Sequence, residues 1–160
     1  MDYVNPNALV SSSWLEQHIK SPRVKIVDAT YYLPNDKRNA AENYAQCHIP
    51  GAVFFNIDEI CDNTIKLPHM LPRPENFSLQ VSKLGLGNDD RIIIYDSSGG
   101  FMAACRVWWM FRIFGHENVA VLNGGLPKWL HERRSTTKVE VIPEKQFFYT
   151  KTNPKIVKNL

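Results

Sequence analysis

Residues 91–95 read RIIIY, and three consecutive isoleucines in so short a run constrain the fold more than any other feature of the 160 residues. A strand with one wet face alternates apolar and polar side chains. An unbroken apolar run is covered on both faces, as a central strand of a parallel sheet is. Parallel neighbours need long crossovers, usually helical, and the flanking sequence supplies them. Glu75 to Leu84 has helical character and is stopped by Gly85 and Gly87. Val107, Trp108, Met110, Phe111 and Phe114 form a broad apolar stripe at helical spacing that ends at Gly115-His116.

The alternation extends along the chain. Ser13-Trp14-Leu15-Glu16 has capping-box spacing and predicts a helix start, Val24 to Val27 reads as a strand ending at Asp28, and Asn39 to Gln46 reads as a helix. His48-Ile49-Pro50-Gly51 turns the chain into a strand at Ala52 to Phe55. LPHMLPRP (67–74) holds three prolines in eight positions and is a loop. Val119 to Leu122 is a further strand, Asn123-Gly124-Gly125 a turn, and Pro127 suits the first turn of a helix that buries Leu126, Trp129 and Leu130. The expected fold class is α/β, a small parallel sheet with helices on both faces. Residues 1–135 form one domain. The periodicity weakens over 136–160, which reads as a linker or a strapping tail, and its closing NPKIVKNL begins to look helical.

Composition narrows the function. The formal charge is only +3 and the basic residues are scattered, so the footprint of a nucleic-acid binder is missing. Three cysteines, an odd number without C-x-x-C spacing, suit free thiols in a reducing cytoplasm. The N-terminus has no signal-like pattern, and no run approaches the about 18 apolar residues of a membrane span. A cytoplasmic chain with no nucleic-acid or membrane partner is expected.

The strand at 91–95 empties into the loop DSSGG and then a helix, where α/β proteins often hold anions or a nucleophile. No G-x-G-x-x-G or P-loop pattern is present, and the leading Asp96 would repel an anion. Cys105 would be an activated nucleophile at a helix's first amides. Counted from Gly100 it falls a full turn or more into the helix, among Ala103, Ala104 and Val107, and reads as packing. Cys47 is adjacent to His48, but neighbouring side chains diverge in extended backbone, and Cys61 beside Asp62 lacks an activating cation. His69 lies in the proline-stiffened loop. Asp58, eleven positions earlier, could orient it or stabilise its charge if the chain folds back; the alternative is a solvated loop histidine.

HIPGAVFFNID (48–58), HMLP (69–72), RVWWMF (106–111), FGH (114–116), VLNGGLPKWL (121–130) and VDATYYLP (27–34) together resemble the N-terminal half of two-domain rhodanese-type sulfurtransferases. The resemblance is strongest to the 3-mercaptopyruvate branch, with the thiosulfate branch next. It implies two similar α/β domains, with the chemistry in the second, and makes 136–160 the interdomain linker and the start of that second, absent domain. There a cysteine cradled by backbone amides takes sulfur from 3-mercaptopyruvate or thiosulfate as a persulfide. The sulfur passes to thioredoxin, another thiol or cyanide, with no metal or organic cofactor. The resemblance also implies that Asp96 stands at the nucleophile's position, so this copy is non-catalytic and the fragment inactive alone. Asp58 and His69 match an acidic residue and a histidine that face the active cleft as accessory catalytic groups. Asn56 departs from the aspartate of many relatives. The expected partners are a small-molecule sulfur donor, a thiol acceptor and the missing C-terminal rhodanese domain. A free-standing, non-enzymatic module that binds a protein partner is the rival reading.

Overall fold

The computed structural model describes residues 6–157. Its middle layer is a five-stranded parallel sheet in the order β1-β5-β4-β2-β3. The strands are β1 (Leu9–Val10), β2 (Val24–Asp28), β3 (Ala52–Phe54), β4 (Arg91–Tyr95) and β5 (Val119–Leu122). Five helices connect and cover them: α1 (Ser12–His18), α2 (Ala40–Gln46), α3 (Pro74–Lys83), α4 (Ala103–Ile113) and α5 (Gly125–His131).

β4 is central, and its isoleucines divide between two cores. Ile92 and Ile94 pack with Phe77 of α3 and Val107 and Phe111 of α4. Ile93 and Tyr95 pack with Leu15 of α1, Tyr44 of α2 and Trp129 of α5. Successive strand side chains point to opposite faces, so with helices covering both faces the three central positions of β4 are all apolar.

Element ends shift by a residue or two from the sequence reading, and in α5 Trp129 is buried as expected while Leu130 is exposed. α1 begins before the expected capping box. The side chain of Ser11, on extended backbone, accepts from Trp14 N at 3.1 Å, and Ser13 lies inside the helix. β1, only two residues long and paired with β5, has too few positions to show a periodicity.

Residues 136–157 strap the domain. Phe148 is 2% exposed, its ring 5.8 Å from Phe77 and 5.7 Å from Phe111, and its N–H donates to Ser82 Oγ at 3.0 Å. Asn88 pairs with the backbone of Tyr149 in both directions at 2.7 and 2.9 Å. Thr137 bridges antiparallel to His48, and Asn153 N donates to Ile113 O. Pro154–Ile156 form a 3₁₀ turn; the rest of the expected helical start, 158–160, lies outside the described residues. Among the described residues no helix is long and apolar enough to cross a membrane.

His116 is buried beneath this strap, between Phe111 at 5.8 Å and Phe148 at 5.6 Å, and its Nε2 has no hydrogen-bond partner. Desolvation holds its pKa below the ordinary 6.5 against the opposing pull of the Asn118 and Asp90 backbone and the Asp90 charge. The unfolded chain therefore takes up a proton at a higher pH than the folded one. Stability is full above the unfolded value of about 6.5 and falls as pH drops through and below it. Urea midpoints measured from pH 7 to pH 5 are expected to fall more steeply in wild type than in His116→Phe; equal slopes would contradict the assignment.

Candidate functional site

β2 and β4 are neighbours in the sheet although β3 lies between them in the chain. The crevice beyond their carboxyl ends is therefore a topological switch point, where α/β sheets bind ligands. The loop after β4 holds Asp96, and the loop after β3 holds Asp58.

The DSSGG loop wraps around its own first side chain. Asp96 is 1% exposed; its Oδ1 accepts from Ser98 N at 2.9 Å and Gly100 N at 2.8 Å, and its Oδ2 from Met102 N at 3.3 Å and Ala104 N at 3.0 Å. Gly99 and Gly100 both have φ of +93°, and the loop turns alternate amides, those of residues 98, 100, 102 and 104, onto the carboxylate. Gly125 closes the other side: Leu126 N donates to Asp96 O at 3.0 Å, and a Cβ on Gly125 would lie 2.5 Å from that oxygen. The loop is a complete anion cradle filled from within.

Cys105 stands nearer the start of its helix than a count from Gly100 gives, and it is not packed. α4 begins at Ala103, so Cys105 is its third residue, and its side chain is exposed instead of packed, its thiol donating to Gly100 O at 3.0 Å. Asp96 caps the helix from seven residues before it, and this delays the start that a count from Gly100 assumed. The position does not activate the thiol. Partial burial and then the Asp96 charge raise its pKa above the ordinary thiol value, and the first amides are already taken. A disulfide reagent at pH 7 is expected to label Cys105 more slowly than a free thiol and to accelerate steeply above pH 9. Labelling as fast as free cysteine at pH 7 would contradict this.

The fold brings Asp58 and His69 together. His69 Nε2–H donates to Asp58 Oδ1 at 2.7 Å, the carboxylate side chain 64% exposed and the imidazole 23%. Asp58 N donates to Asn56 Oδ1 at 3.1 Å, and Asn56 Nδ2 donates to Glu59 Oε1 at 2.9 Å. An asparagine at 56 thus keeps the turn and spares Asp58 a like charge. Asp62 N donates to Met70 O at 2.9 Å and closes the excursion between the partners. The edge of Tyr31 meets the His69 ring, centroids 4.8 Å apart.

Asp58 also lines a cavity of about 300 Å³ with Tyr31, Tyr32, Arg38, Phe54 and Asn56. The Arg38 charge is engaged: Nε and Nη2 grip Asp36 at 3.0 and 2.6 Å and hold its carboxyl at about 2, and the guanidinium lies 4.1 Å over Tyr32. A carboxylate that fixes one imidazole nitrogen leaves the other free to exchange a proton with a bound molecule, which is general acid–base chemistry. Cys61 donates to Asp58 O at 3.1 Å, and burial raises its thiol, ahead of the charge of Asp58. His48 is structural, its ring nitrogens 2.7 Å from Tyr44 O and 3.1 Å from Val139 O. Tyr31 and Arg106, whose Nη2 donates to His69 O at 2.8 Å, carry no functional signal of their own in the sequence: one is an aromatic among many, the other a basic residue beside Cys105.

The profile of the Rhodanese-like domain matches residues 11–132. Over 121 residues and 76% of its length the chain is 50% identical to the mitochondrial thiosulfate/3-mercaptopyruvate sulfurtransferase 1 of Arabidopsis thaliana, of which it covers 32%. It is 47% identical to the 3-mercaptopyruvate sulfurtransferase of Escherichia coli K12 over 75% of its own length and 43% of the relative's. The crystal structure of the E. coli 3-mercaptopyruvate sulfotransferase SseA superposes with a TM-score of 0.88 at 41% identity, covering 96% of this chain and 58% of that one. The chain thus spans less than half the length of these curated relatives.

Proposed function

The chain belongs to the rhodanese-like domain family, and from that premise we propose that it is the accessory half of a 3-mercaptopyruvate or thiosulfate sulfurtransferase whose nucleophile lies on a second domain. The observation that carries the reading is the amide cradle occupied by Asp96. A carboxylate cannot carry a persulfide, and its presence leaves the loop no room for a thiolate.

This half contributes the Asp58–His69 pair at the edge of the cleft. With 3-mercaptopyruvate, a thiolate of the second domain attacks the donor sulfur and the C–S bond breaks. Its electron pair goes to the methylene carbon, which takes up the proton lost by the donor thiol and leaves as pyruvate. His69, held by Asp58, is the group that carries that proton. The persulfide then passes to a thiol such as thioredoxin, or to cyanide. Incubated with 3-mercaptopyruvate and a thiol acceptor, the 160-residue chain is expected to release no pyruvate, while the same chain joined to a cysteine-bearing rhodanese domain does. Release by the chain alone that disappears in Cys105→Ser would overturn the reading.

A further inference from the structure

His69 has a φ of +54°, a left-handed backbone that side chains other than glycine avoid, and Arg133 alone shares that trait among the described non-glycine residues. A ring aimed from such a backbone needs something to hold the backbone. Arg106, in the first turn and a half of α4, donates from Nη2 to His69 O at 2.8 Å. Its guanidinium lies 4.4 Å over the ring of Trp109, three residues along the same helix. Among the described residues it makes no ion pair. The half-buried guanidinium has its pKa lowered by desolvation. A solvation cost borne without a carboxylate partner is explained if the donor has a geometric task.

We infer that Arg106 is a positioning residue for His69: aimed by Trp109, it clamps the His69 carbonyl and so presents the imidazole to Asp58 and the cleft. The clamp itself is independent of chemistry, while its value to catalysis rests on the function proposed above. It joins the helix that follows the Asp96 loop to the loop that carries the proton-handling pair, so the two parts of the site share one rigid support.

The test begins with the spectra of the 160-residue chain. In Arg106→Met, the Cα and Cβ resonances of His69 are expected to leave the left-handed range, and contacts between the Tyr31 and His69 rings to weaken. Trp109→Leu, which keeps the guanidinium but removes its platform, is expected to give the same displacement in milder form. Arg106→Lys, which keeps a donor, recovers part of it. His69 resonances unmoved in both Arg106→Met and Trp109→Leu would overturn the inference. In the complete two-domain protein, Arg106→Met is expected to lower kcat about tenfold with KM little changed, as misplacement of one group does. Displaced His69 resonances with unchanged kcat would uphold the clamp and sink the catalytic role of His69.

Discussion

Replacing Asp96 with alanine is expected to cost the domain about 3–5 kcal/mol of stability. Four backbone N–H groups converge on this one buried carboxylate. Each buried donor left without an acceptor costs about 1–3 kcal/mol, and hydrogen bonds to a charged group lie at the strong end. The losses do not add fully, because Ser97, Ser98 and Gly99 are partly exposed and water can reach the loop. Asp96→Asn keeps one acceptor oxygen and should cost about half as much. Formate, a carboxylate without a tether, should restore part of the loss in Asp96→Ala and none in wild type. Urea unfolding measures all three. An alanine variant within about 1 kcal/mol of wild type would mean that the loop is not held by its own side chain.

In the two-domain sulfurtransferase proposed above, His69→Ala is expected to lower kcat for 3-mercaptopyruvate by about 10²-fold, the lower end of what a positioned acid–base group supplies. The variant should fold normally. The imidazole is partly exposed, its partner Asp58 is more so, and solvent-screened ion pairs contribute little to stability. A loss confined to kcat, with the melting temperature held, separates a chemical role from a structural one. Unchanged kinetics would remove His69 from the reaction.

Much of this architecture was legible in the residues. RIIIY placed the central strand because an apolar run without gaps has one environment, and LPHMLPRP placed a loop because proline removes donors and fixes φ. What escaped depends on contacts distant in sequence. The strap over 136–157 has no period of its own and is defined by one ring, Phe148, entering a core built by α3 and α4. Cys105 was misplaced because the start of α4 is set by a side chain seven residues upstream, a cap that local rules do not anticipate. Asp58 and His69 were recognised as candidates, but their approach to 2.7 Å depends on the turn at Asn56 and the closure between Asp62 and Met70. The Arg106 contact with a carbonyl carries no sequence signature, since the acceptor is backbone.

In the proposed reaction Asp58 and His69 act on the sulfur donor as one unit. A double-variant cycle on kcat for 3-mercaptopyruvate in the two-domain protein, with Asp58→Asn, His69→Ala and the two combined, decides whether they do. Groups that work through a shared hydrogen bond lose their effect together. The combined variant is expected to be no slower than His69→Ala alone. Effects that multiply, so that the combined loss is the product of the single losses, would contradict it.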